Sequence, residues 1–245
     1  MRFRVRRVTT TRAGGVSKPP YDTFNLGDHV GDDPAAVAAN RRRLATALGL
    51  GGDGGDDRVV WMNQVHSAHV QVVDGVGETV DGTDGLVTTV PGLAVAVVTA
   101  DCVPVLMADA RAGVVAAVHA GRVGAQQGIV ARALETMVSV GAQIEDVSVL
   151  LGPAVSGPNY EVPEQMAAEV ERALPGSRTT TARGTPGLDL RTGIAAQLRT
   201  LGVGAVDVDP RCTVADPALF SHRRDNPTGR LASLIWLEPV EGRAQ

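Results

Sequence analysis

At 245 residues the chain is long for one domain yet within the single-domain range. A composition 44% apolar and 20% charged allows a sizeable core, and a formal charge of -4 excludes nucleic-acid or membrane-surface binding by bulk electrostatics. The basic start, Met1-Arg2-Phe3-Arg4-Val5-Arg6-Arg7, is followed by no apolar stretch, so neither a signal peptide nor a membrane helix is expected and the chain reads as cytoplasmic.

Arg2, Arg4 and Arg6 alternate with Phe3 and Val5, the pattern of an edge strand with one wet face. Asp33-Pro34 opens a helix predicted to run to Leu48, with Val37, Leu44 and Leu48 on one side. Gly51-Gly52-Asp53-Gly54-Gly55-Asp56-Asp57 reads as a loop between that helix and a strand, without the strand-then-helix context of a phosphate-cradling loop. Short strands are predicted at 59–62 and 69–73, and nearly continuous apolar runs at 93–99, 103–107 and 114–118 read as buried strands. A helix is predicted over 126–140, and the runs 147–151, 163–174, 193–201 and 231–236 continue the mixture of strands and helices. Because strands and helices do not alternate regularly, a mixed sheet is expected rather than a doubly wound one.

Three segments carry candidate chemistry. In Ala100-Asp101-Cys102 the cysteine stands where one apolar run stops and another begins, anchored by the core beside a cleft; the plainer reading is a small buried hydrophobe. His119 ends a strand of valines and alanines, where an imidazole needs a hydrogen-bond partner or a metal. Gly121 and Gly124 then punctuate a turn into a helix whose free N–H groups favour an anion, with Arg122 adding positive charge. His66 and His69, three apart in strand-like surroundings, point to opposite sides, so one of them enters a given cleft. A thiolate with two imidazoles suits zinc, and three protein ligands leave a fourth position for water. The two cysteines, Cys102 and Cys212, are expected to be reduced.

Taken together the motifs resemble the YfiH-like family, also called polyphenol oxidase, laccase-domain or multicopper-oxidase-like proteins and including the peptidoglycan editing factor type. The resemblance runs through Thr10-Thr11-Arg12-Ala13-Gly14-Gly15-Val16-Ser17, Phe24-Asn25-Leu26-Gly27, His29-Val30-Gly31-Asp32 and Gln64-Val65-His66. It continues with Thr99-Ala100-Asp101-Cys102, Val118-His119-Ala120-Gly121, Gly152-Pro153, Tyr160-Glu161-Val162, Leu188-Asp189-Leu190, Phe220-Ser221-His222-Arg223-Arg224-Asp225 and Thr228-Gly229-Arg230. It implies one catalytic domain over residues 1–245, a layered α/β/β/α sandwich with a mixed sheet, and metal ligands at His66, Cys102 and His119, selecting His66 over His69. It further implies zinc-dependent purine nucleoside chemistry: phosphorolysis of adenosine, inosine, guanosine and methylthioadenosine, and deamination of adenosine. The chain departs from the family in having Arg122-Val123-Gly124 where Trp-Arg-Gly usually follows His-Ala-Gly, and Asn226 where Gly is frequent.

On this reading the partners are purine nucleosides and phosphate, with no nucleic acid or membrane, and the protein is a monomer or homodimer. The Gly121–Gly124 turn with Arg122, and Arg12 or Arg41, would supply the anion pocket; Asn25 and Gln64 complete the expected binding set. Asp101 and Glu161 are candidates for proton handling or for orienting neighbours, against plain structural hydrogen bonds. The 220–225 stretch is expected near the site, with Arg223 and Arg224 binding substrate or pairing with acids, and pairing favoured for Arg230. Three rivals stand beside this. Copper-dependent phenol oxidation needs many histidines, whereas the chain has five and no His-x-His, with Met62 and Met107 as loose axial candidates. A cysteine hydrolase with a peptidoglycan-precursor editing role would use Cys102 as nucleophile and His119 as base. A purely structural zinc would need a fourth ligand such as Cys212 or His222.

Overall fold

The continuous apolar runs become strands because both of their faces are buried. The computed structural model describes residues 3–52, 57–77 and 79–240; Arg2 of the first strand and residues 53–56 of the glycine-rich loop lie outside them. In chain order the elements begin β1 (Phe3–Thr9), α1 (Pro34–Ala47), β2 (Val59–Val60), β3 (Val70–Val72), β4 (Gly85–Thr88), β5 (Ala94–Thr99) and β6 (Val103–Asp109). They continue with β7 (Val114–Ala120), α2 (Arg122–Gln126), α3 (Ile129–Ser139), β8 (Ser148–Leu151), α4 (Glu164–Ala173) and β9 (Arg178–Thr180). The last are β10 (Pro186–Leu188), α5 (Leu190–Thr200), β11 (Ala205–Val208) and β12 (Leu231–Pro239).

Two mixed sheets face each other. The smaller has the order β1-β12-β5-β2, with β2 parallel to β5 and the other pairs antiparallel. The larger runs β11-β8-β6-β7-β4-β3, parallel at both ends and antiparallel between. Side-chain alternation assigns each strand residue to a layer. Val95, Val97, Ile235 and Leu237 meet Leu106, Ala108, Val115 and Ala117 between the sheets. Ala94, Ala96, Val98, Leu234 and Trp236 face the other way, toward Leu44 and Ala45 of α1. Val105, Met107, Ala116 and Val118 pack with residues of α3, α4 and α5. The layers are therefore α/β/β/α, and β1 sits at an edge with Arg4 and Arg6 exposed.

Local chemistry explains the helix starts. Asp33 caps α1 through the Ala35 N–H, with Pro34 opening the helix, and Asp189 caps α5 through the Thr192 N–H. The helix expected over 126–140 begins later, as α3 at Ile129, because Gly128 adopts φ 82° at its cap, and the turn expected over Gly121–Gly124 is instead the start of the short α2. No atom lies within 4 Å of where a Cβ on Gly128 would stand, so only the backbone resists a side chain there. We expect Gly128→Ala to cost about 1–2 kcal/mol of stability, read by thermal unfolding, with catalysis untouched. The strands β4, β9, β10 and β11 were not foreseen from the sequence; all are short. No helix among the described residues is long and apolar enough to cross a membrane.

Candidate metal centre and its cavity

Although β5 and β6 follow each other closely in sequence, they lie in different sheets, so Ala100, Asp101 and Cys102 form a crossing at one end of the sandwich. The segment holding His66 also joins the two sheets, from β2 to β3, and His119 closes β7 in the larger one. These connections bring His66, Cys102 and His119 together, with one donor atom from each within 4.8 Å of the others. A tetrahedral ion bonded at about 2.0 Å to nitrogen and about 2.3 Å to sulfur needs donors about 3.3–3.5 Å apart, so at most about 1.5 Å of closure completes the grip. It is the one such cluster of three or more potential ligands among the described residues. Cys212 lies elsewhere, its sulfur receiving the Ser156 N–H at 3.4 Å, and both cysteines are free thiols.

Gly121 supplies the room for an ion. A Cβ built on it would stand 2.9 Å from His66 Cδ2 and 3.1 Å from Cys102 Sγ. Its φ of -74° is open to any residue, so the requirement for glycine comes from the space between the ligands and not from the backbone. A soft sulfur, two imidazoles and a cradle without a side chain together fit a zinc-sized ion.

Asp84, which the sequence reading did not single out, organises this centre. Its fully buried carboxylate accepts the Val65, His66 and Ser67 N–H groups at 3.2, 3.0 and 2.6 Å and the Ser67 hydroxyl at 2.8 Å. Its Oδ1 also meets His119 Nδ1 at 2.8 Å, which fixes the proton on Nδ1 and turns Nε2 toward the cluster. Burial alone would raise the Asp84 pKa, but these hydrogen bonds outweigh it and hold the group at about 2. The same bonds sustain His66 at φ 60°, a left-handed conformation that costs about 1–3 kcal/mol in a non-glycine residue. We expect Asp84→Asn to weaken zinc affinity about 10–100-fold, measured by competition with a chromophoric chelator.

Burial opposes charge at Cys102 and at His119, yet their mutual attraction prevails: the thiol falls to about 6, and His119, also held by Asp84, rises to about 9. Each group thus favours the charged form of the other. Asp101 stands at φ 98° and its carboxylate accepts three hydrogen bonds: from the hydroxyls of Thr213 at 2.5 Å and Ser221 at 2.7 Å, and from the Arg223 N–H at 2.6 Å. It ties the 220–225 stretch to the cysteine-bearing crossing.

The ligands open onto a cavity of about 350 Å³ whose lining includes His29, Gln64, Asp101, Arg122, Tyr160 and Leu190. His222, Arg223 and Arg230 also line it, and Val98 and Val155 give it apolar walls. Gln64 is less available than its position suggests, because its amide makes paired hydrogen bonds with the backbone of Val98 at 2.8 Å each. Of the expected anion-binding arginines only Arg122 reaches the lining. Arg12 stacks on Phe220 and pairs with Asp22 and Asp225; Arg41 stacks on Trp61 and binds the Leu26 carbonyl and Asp28. Asn25 is fully buried behind the wall, and the five-residue α2 after Gly121 is too short to present an aligned dipole. Arg224 staples the neighbouring loop through the carbonyls of Thr213, Val214, Asp216 and Leu219, while Glu161 meets Arg223 only through its backbone carbonyl. His69 is turned away, toward the Gly82 carbonyl.

The family model described as multi-copper polyphenol oxidoreductase laccase matches residues 6–238. A purine nucleoside phosphorylase of Mycobacterium tuberculosis is 75% identical over 236 residues, 96% of this chain and 93% of that protein. One of Corynebacterium glutamicum is 56% identical over 236 residues, covering 95% and 94%. Among crystal structures, YlmD from Geobacillus stearothermophilus superposes with a TM-score of 0.88 at 35% identity, over 96% of this chain and 92% of that one. Bacillus licheniformis YfiH gives 0.86 at 30% identity, over 96% and 93%.

Proposed function

Since this chain belongs to the multi-copper polyphenol oxidoreductase laccase family, in which its relatives carry the name purine nucleoside phosphorylase, we propose that it is a zinc-dependent enzyme cleaving purine nucleosides with phosphate. The observation that carries the reading is the convergence of His66, Cys102 and His119 on the wall of one cavity, within the usual size range for a small-molecule site. Val98, Val155, Leu190 and Tyr160 offer apolar surface to a purine ring, and the polar lining offers partners to its sugar. When bound, the ion supplies Lewis acidity at the cavity wall. His119 donates its Nδ1–H to the Asp84 carboxylate, Cys102 contributes a thiolate, and Asp101 orients the backbone of Arg223.

Inosine, guanosine, adenosine and methylthioadenosine are the expected substrates. Purified protein given inosine and phosphate should release hypoxanthine and ribose 1-phosphate in equal amounts. No release from any of the four nucleosides would reject the reading. Deamination is a separate arm: adenosine without phosphate should yield inosine. The single three-donor cluster among the described residues and the five histidines favour a one-metal enzyme over a multi-copper oxidase, which needs several metal sites.

One observation favours a second reading. Cys102, His119 and Asp84 stand in the order nucleophile, base and orienting acid, as a cysteine hydrolase requires. Alkylation of Cys102 stops either enzyme. Removal of the metal by a chelator stops only the zinc enzyme, so full activity after chelation would select the hydrolase.

A further inference from the structure

Three arginines line the cavity, Arg122, Arg223 and Arg230, and none has a carboxylate within ion-pair distance among the described residues. The one acid of the lining, Asp101, is engaged by Thr213, Ser221 and the Arg223 N–H. Each guanidinium is fastened to a neutral acceptor through Nη1. Arg122 binds Gln126 Oε1 at 2.9 Å and Arg223 the Glu161 carbonyl at 3.1 Å; Arg230 binds the Thr228 and Gly229 carbonyls at 3.0 and 3.2 Å. Their Nε–Nη2 edges make no hydrogen bond to the described residues, and that edge is the one that grips two oxygens of a phosphate side by side. Asp101 and Cys102 offset part of this charge, and the excess facing a partly enclosed cavity raises the local concentration of anions.

Two of these arginines are also built in from behind. The Arg230 N–H donates to Asn25 Oδ1 at 2.8 Å and its carbonyl accepts the Leu26 N–H at 3.1 Å. A Cβ on Gly27 would lie 2.6 Å from Arg230 Cγ, so glycine there leaves the room in which the arginine stem lies. Asn25, expected to touch substrate, thus belongs with Leu26 and Gly27 to the backing of a residue that lines the cavity. Arg223 lies over the Tyr160 ring at 5.1 Å, and its backbone is fixed by Asp101.

We propose that Arg223 and Arg230 form the clamp for orthophosphate, in place of the Gly121–Gly124 turn. The identity of the anion rests on the phosphorylase reading above; the existence of the clamp does not. The experiment uses zinc-loaded full-length protein, with phosphate varied at saturating inosine and inosine varied at saturating phosphate. Arg230→Gln and Arg223→Gln should each raise KM for phosphate about 10–100-fold while leaving KM for inosine within about threefold. Inorganic phosphate should raise the melting temperature of the parent protein and not that of Arg230→Gln. Arg230→Lys, which keeps the charge but loses the fork, should fall between, and guards against a misfolded glutamine variant. Unchanged KM for phosphate, or equal rises in both KM values, would overturn the clamp and leave the phosphorylase reading intact. Phosphate-dependent stabilisation lost in Arg230→Gln, with no nucleoside cleaved by the parent, would uphold the clamp and defeat that reading. A nucleoside 5′-monophosphate binding more tightly than inosine and phosphate together would assign the arginines to a nucleotide and overturn orthophosphate as the ligand.

Discussion

Cys102→Ser protein should purify without stoichiometric zinc and lose nucleoside phosphorolysis by about 10³-fold or more. The substitution preserves shape, and Cys102 lies at a partly exposed crossing between strands, so the fold has little reason to change. What changes is the donor. In the parent the thiol is held at about 6 because burial, which disfavours the thiolate, is outweighed by His119 and His66. A serine hydroxyl stays protonated under the same influences and is a poor ligand for a borderline-soft ion. Loss of Lewis acidity worth several kcal/mol in a transition state corresponds to a rate loss of that order. Elemental analysis and turnover should fall together, and added zinc should restore chelator-treated parent but not the variant. Parental turnover by metal-free Cys102→Ser protein would disprove the assignment.

Gly121→Ala should dissociate the site from the fold. Its backbone conformation suits alanine, so the melting temperature of the metal-free protein should move little. The new methyl, however, would arrive within 2.9 Å of His66 Cδ2 and 3.1 Å of Cys102 Sγ, with His119 Cε1 at 3.6 Å. The exposed His66 ring can swing away about its side-chain bonds while Asp84 holds the backbone on both sides of it, so the ligand gives way and the fold does not. Displacing one ligand by about 1 Å is expected to reduce turnover about 100-fold, with a matching fall in zinc affinity. Gly128→Ala gives the mirror result, a lower melting temperature with parental kinetics. Parental zinc affinity in Gly121→Ala would mean that the ion binds elsewhere.

Cys102 and His119 stood out because cysteine and histidine are scarce and these two stand at the margins of apolar runs, whereas His66 was chosen over His69 by the resemblance alone. Asp84 did not stand out, because Asp81-Gly82-Thr83-Asp84-Gly85 is written in turn residues, and an aspartate there announces a turn before it announces a partner for a histidine across the sheet. The arginines failed for a related reason. Arg223 and Arg224 are adjacent and identical in type, yet one reaches the cavity and the other staples a loop, a difference set by long-range packing alone. Arg12 and Arg41 read as anion binders, but they serve aspartates and aromatic faces outside the cavity. The mixed α/β class followed from irregular alternation of strands and helices, and the four layers from the resemblance. The crossing between sheets was hidden, since a short link between two apolar runs ordinarily suggests neighbours in one sheet. The break at Gly128 was masked because Ile129, Val130, Leu134 and Met137 keep helical spacing beyond it.

That crossing has a mechanical consequence. His66 and Cys102 lie on links that leave one sheet for the other, so an ion gripping them with His119 acts as a rivet through the end of the sandwich. Shear of the two sheets past each other would pull the donors apart, and occupancy should therefore resist it. Loading should stiffen the whole stack of layers, and the gain should grow with the logarithm of free metal.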